Sequence, residues 1–251
     1  MSIVKRIVLA IITQSLLISF AHSQAMSYLH TIVVGSEGTA VARAPDAGDN
    51  LEDLERSLVR QLSLRPKTQL IIRSDEQRRD SHYKRVGGLY ASADSSDLVV
   101  GVCQGAWAVD SKDSALSILS GIGPDTVTAD YLVHLMRFLP VHNAALFVLA
   151  PTQFEFPRIA LAATPTGING GGKYLIVVRQ KGEGDFAELV DRFADIMDSD
   201  FDETADDSNA DQHLSFAEWL GAVTRRAAAA GLSGTIHAMS SGSDLFIKQL
   251  R

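Results

Sequence analysis

Short apolar, β-branched runs alternate along this chain with stretches whose apolar residues recur at helical spacing, beginning at Tyr28. The runs predict strands at Tyr28–Val34, Gln69–Arg73, Asp97–Val102, Ala145–Ala150, Arg158–Ala163 and Tyr174–Val178, the last fed by Gly170-Gly171-Gly172 as a flexible loop. The helical spacing predicts helices at Asn50–Ser63, Asp75–Ala91, Ala129–Phe138, Asp185–Asp198 and Phe216–Ala229. In the first of these Leu51, Leu54, Leu58 and Leu62 form one stripe, with Asp49 or Asn50 as the cap. Strands alternating with helices build a parallel sheet covered on both faces, so the expected fold is a three-layer α/β/α sandwich with a mostly parallel central sheet. Sites in such sheets lie outside the carboxyl ends of the strands. That directs attention to Gly35–Gly38, Ser74–Asp75, Cys103–Trp107, Pro151–Glu155 and Thr164–Gly167.

The first residues follow a different pattern. Lys5 and Arg6 precede an apolar run from Ile7 to Phe20, and small residues follow at Ala21, Ser23 and Ala25. This predicts a secretory signal over residues 1–25 and one α/β domain over residues 26–251. The run falls short of the roughly 20 residues a span needs, so no membrane association is expected after cleavage. Initiation at Met26 instead would leave the protein in the cytoplasm. Removing residues 1–25 takes away two bases and no acid, moving the net charge from −7 to −9. Nucleic acid is thereby a poor partner. Cys103 is the single cysteine, which excludes an internal disulfide and any multi-cysteine zinc site.

The acidic stretch Asp207–Glu218 changes the picture most. It places Asp207, Asn209, Asp211, Ser215 and Glu218 at loop positions where a calcium loop puts oxygen ligands, with the carbonyl of His213 between them and Leu214 at the packing position. Calcium takes about 6–8 oxygens near 2.4 Å, the last two from a bidentate Glu. The turn position, where Gly is expected, is Gln212. A residue with a Cβ there has to adopt positive φ at a cost of about 1 kcal/mol, so weak calcium binding is expected. The competing expectation is that Asp211 or Ser215 simply caps the helix starting at Phe216.

Several segments together resemble the caspase-type cysteine peptidases, especially their legumain-like bacterial relatives. Asp97-Leu-Val-Val-Gly-Val-Cys-Gln-Gly105 resembles the strand that ends in that family's catalytic His-Gly, and Ala145-Leu-Phe-Val-Leu-Ala-Pro-Thr-Gln153 resembles the strand that ends in its catalytic Cys. Arg158–Thr164 is similar to the strand after it, Asn209–Arg226 to the calcium loop and helix of several bacterial members, and Ser240–Ile247 to the terminal strand. The resemblance implies a caspase-like fold. It also puts Gln104 in the position of the catalytic His and Thr152, or its neighbour Pro151, in that of the Cys.

Neither replacement supports the chemistry. An amide does not titrate, and a threonine hydroxyl needs an adjacent base that Gln104 cannot supply. The resemblance therefore implies an inactive peptidase relative that holds a peptide or protein ligand in the carboxyl-end cleft. The alternative is an active cysteine peptidase using Cys103, with His82 as the only upstream His after Leu51 to serve as base. Against it stands the ordinary fate of a lone cysteine at a strand end, a small buried hydrophobe. A third possibility is another α/β enzyme acting on a small molecule. His134 and His142 lack carboxylate partners at ligand spacing, Arg225-Arg226 most simply complements a helix dipole, and no G-x-S-x-G elbow occurs.

Overall fold

A computed structural model describes residues 27–35, 47–73, 79–103, 106–109, 116–119, 127–128, 135–150, 168, 170–181, 186–199 and 211–249. Five strands run parallel: β1 (Tyr28–Gly35), β2 (Arg65–Arg73), β3 (Leu98–Cys103), β7 (Asn143–Leu149) and β8 (Gly171–Gln180). A sixth, β10 (Leu232–Gly242), closes one edge antiparallel to β8, giving the order β10-β8-β7-β3-β1-β2. Every residue of β3 and of β7 is buried, as a parallel strand covered on both faces requires.

The alternation of side chains divides the interior in two. Leu98, Val100 and Val102 of β3 face a core shared with α1 (Ala47–Leu62), α3 (Phe186–Asp198) and α4 (Phe216–Ala229). Leu54, Leu58 and Leu62 supply the α1 stripe, while Phe147 packs its ring 5.2 Å from Phe193 and 6.1 Å from Trp219. Val99 and Cys103 face the other core, where Val86 and Leu89 of α2 (Arg79–Ser92) meet Leu135, Met136 and Leu139. The result is the expected three-layer sandwich. One detail differs: α1 begins at Ala47, so Asp49 and Asn50 lie inside its first turn and do not cap it.

Two small sheets complete the described elements. Antiparallel strands β4 (Ala106–Val109), β5 (Leu116–Leu119) and β6 (Val127–Thr128) follow β3, and β9 (His213–Ser215) pairs with β11 (Phe246–Gln249). The predicted strand Arg158–Ala163 lies outside the described residues, as does most of the predicted helix Ala129–Phe138. The glycine run at Gly170–Gly172 meets its expectation only in part. Gly170 and Gly172 have φ of 102° and 149°, yet Gly171 and Gly172 already belong to β8.

Polar side chains lock the layers at places the sequence pattern does not reveal. Gln61 of α1 donates to the carbonyls of Ile196, Met197 and Ser199 at the end of α3, and its own oxygen accepts from the Trp219 indole at 3.2 Å. Arg226 of α4 reaches the same end, donating to Ser199 Oγ at 2.8 Å. Its role extends beyond its own helix dipole.

Candidate functional site at the carboxyl ends of the strands

β3 and β7 are neighbours in the middle of the sheet, parallel and in register, with Cys103 opposite Val148. Their carboxyl ends therefore stand side by side. Val34, Cys103, Val148 and Val177 form the last complete row of side chains at this end of the sheet, and all four are buried. Cys103 is 0% exposed, and burial pushes its thiol up to about 12. The cause is the loss of water around the charged form. Gln104 and Thr152, which follow these two strand ends in sequence, lie outside the described residues. His82, the base considered for Cys103, falls on α2.

The second predicted site is half described. Asp207 and Asn209 lie outside the described residues, whereas Asp211, His213, Ser215 and Glu218 lie within them. Gln212 adopts φ 64°, the left-handed turn that its position in the loop demands. Asp211 Oδ1 accepts from the backbone N–H of His213 at 2.8 Å, which folds the chain back into β9. Leu214 is fully buried, as a packing position should be.

Ser215 caps α4: its hydroxyl accepts from Glu218 N at 3.3 Å, and Glu218 Oε2 accepts from Ser215 N at 3.0 Å. This is a reciprocal capping box. Asp244, from the segment before β11, accepts from Ala217 N at 3.0 Å, and Leu245 O accepts from Phe216 N at 2.7 Å. Among the described residues no group of three or more His, Cys, Asp or Glu is placed to hold a metal ion.

At the amino ends of the strands sits a polar cluster that sequence reasoning passed over. Asp97 accepts at about 3.0 Å from His30 Nε2 and from the backbone N–H groups of Tyr28 and Asp94, with Lys67 Nζ at 3.5 Å. Burial alone would raise its pKa, but these donors outweigh that cost and hold the carboxyl below the ordinary value. The available signal was His30-Thr31 interrupting an otherwise apolar strand. The cluster lies at the pole opposite the carboxyl ends of the strands, and it ties the starts of β1, β2 and β3 together.

No protein-family model matches this chain. No curated protein matches it either. Solved structures do. A protein from Geobacter sulfurreducens superimposes with a TM-score of 0.50 at 8% identity, over 89% of this chain and 97% of that one. The Drosophila initiator caspase Dronc superimposes with a TM-score of 0.51 at 11% identity, over 90% of this chain and 84% of that one. At such identities the likeness shows the fold alone, and that fold is caspase-like: a mostly parallel sheet flanked by helices on both faces.

Proposed function

We propose that this chain is a secreted or periplasmic caspase-like protein that holds a peptide or protein segment at the carboxyl ends of β3 and β7 without cleaving it. The observation that supports it most is the pairing of those two strands, which brings side by side the ends from which Gln104 and Thr152 follow. An amide and an unassisted hydroxyl bind a peptide through hydrogen bonds but do not supply base and nucleophile. The thiol of Cys103 is sealed in the row beneath, where burial opposes its ionisation. Export rests on the basic and apolar character of residues 1–25. Among the described residues no helix is long and apolar enough to cross a membrane.

The loop Asp207–Glu218 is proposed to bind calcium weakly. The left-handed turn at Gln212 and the bond from His213 N–H to Asp211 support it. Because Glu218 Oε2 already accepts from the cap at Ser215, a bidentate contact has to be shared with that bond, which favours weak over tight binding.

The native protein is expected to leave peptides with Asp, Asn, Arg or Lys before the scissile bond intact. Turnover that Cys103→Ala abolishes would overturn the proposal. Conversely, the double change Gln104→His with Thr152→Cys is expected to let a peptidyl electrophile label residue 152 faster than Thr152→Cys alone, because the added imidazole activates the thiol only when both face one cleft.

A further inference from the structure

One row below the floor formed by Val34, Cys103, Val148 and Val177, the side chains of Leu70, Ile32, Leu146 and Leu175 line the same core across the parallel strands, with Gly101 in the middle of the row. The missing side chain leaves no void. Leu146 Cδ1 lies 2.6 Å from where a Cβ on Gly101 would stand, and the carbonyl oxygen of Ile32 lies 3.2 Å from it. Leu146 of β7 thus leans over the backbone of β3 and occupies the space a side chain would take. Leu146 and Ile32 are each 1% exposed, so neither can swing toward solvent to make room.

We propose that this Gly101–Leu146 notch is a positioning element of the cleft. It sets the offset between the carboxyl ends of β3 and β7, and it keeps Cys103 sealed within the floor row. The functional meaning rests on the cleft reading given above, but the geometry is testable without it. Filling the notch forces β3 and β7 apart next to the floor, while the opposite core, built on Val33, Val100 and Phe147, keeps its contacts.

Cys103, the single thiol of the chain, reports on the floor in the native protein. Reaction with Ellman's reagent in native buffer is expected to run roughly tenfold or more faster for Gly101→Ala than for Val33→Ala, a control on the opposite face, compared at equal distance below each melting temperature. Adding Leu146→Val to Gly101→Ala removes the clashing methyl and is expected to bring the rate back toward wild type. Equal rates in Gly101→Ala and the control, or no recovery in the double variant, would overturn the notch. Should Gly101→Ala fail to accumulate, Leu146→Ala in the Gly101 background empties the notch from the other side. It is then expected to unseal Cys103 by a similar factor, and an unchanged rate there overturns the proposal equally. Peptide turnover by Cys103 in the native protein would overturn the cleft reading while leaving the notch standing.

Discussion

Replacing Gln61 by Leu tests how the helical layer is held together. Gln61 is 4% exposed and close to Leu in volume, so the change removes hydrogen bonds without opening a cavity. The indole N–H of Trp219, fully buried, loses its acceptor at 3.2 Å. The carbonyl of Met197, at a helix end with no intrahelical donor, loses the Gln61 amide. Ile196 O keeps the Ser199 hydroxyl at 2.7 Å and Ser199 O keeps Arg226 at 3.3 Å, so both suffer little. Two buried groups are left unsatisfied at about 1–3 kcal/mol each, and the added apolar side chain returns part of that, so the net loss should be about 2 kcal/mol. For a domain of this size, that corresponds to a fall of about 4–8 °C in melting temperature. Urea unfolding followed by tryptophan fluorescence and circular dichroism gives the comparison directly, with an unchanged slope showing that the unfolded state is not the cause. A loss below about 1 kcal/mol would mean that water replaces Gln61 at the α3 terminus, and the hub would then be incidental.

Gln212→Gly should relieve left-handed strain worth about 1 kcal/mol, offset by the greater freedom of Gly in the unfolded chain, so urea unfolding without calcium should show a stability change under about 1 kcal/mol. If the loop takes calcium, calorimetry should show affinity rising several-fold in the same variant and disappearing in Glu218→Gln; no heat and no thermal shift at millimolar calcium in either background would leave a capped acidic loop. Asp97→Asn should destabilise at neutral pH with a gap that narrows in acid. The folded pKa of Asp97 is held below its unfolded value, so its contribution is present above about pH 4 and is lost as pH falls through the folded value. A gap constant from pH 7 to pH 3 would mean that Asp97 acts through shape and not charge.

The layered fold was legible because its strands and helices obey different periods. Phe216–Ala229 is legible to the residue, because Ser215, one of the two expected caps, stands directly before an apolar stripe; that Glu218 closes a capping box with it is what the structure adds. The terminal strand expected at Ser240–Ile247 covers only the last three residues of β10 and the first two of β11, with three residues outside any strand between them. The rest of β10 is not legible, for a physical reason. It is an edge strand whose residues are mostly half-exposed, and Leu232-Ser-Gly-Thr-Ile-His-Ala-Met-Ser-Ser-Gly242 carries neither an apolar run nor a clean alternation. The first residues of β2, Arg65-Pro66-Lys67, were passed over in the same way, because an edge strand guarded by charge and proline reads as a loop. The polar hubs were illegible for another reason. His30 and Asp97 stand 67 residues apart, and nothing local to either predicts their meeting. For the cleft, the sequence named Gln104 and Thr152, and the structure pairs the two strands that lead to them without describing the residues themselves.

The bond between Gln61 and Trp219 spans 158 residues of chain. At a synthesis rate of about 10 residues per second, α1 waits about 16 s for the helix that completes its buried face. Throughout that interval the growing chain presents Leu54, Leu58 and Leu62 beside an unmet amide, and for about the first 4 s β1 also lacks β3 as its inner neighbour. Such a nascent chain cannot finish its first half before its last helix emerges. Until α4 arrives, the apolar stripe of α1 has no finished layer to pack against, so the fold closes late and all at once.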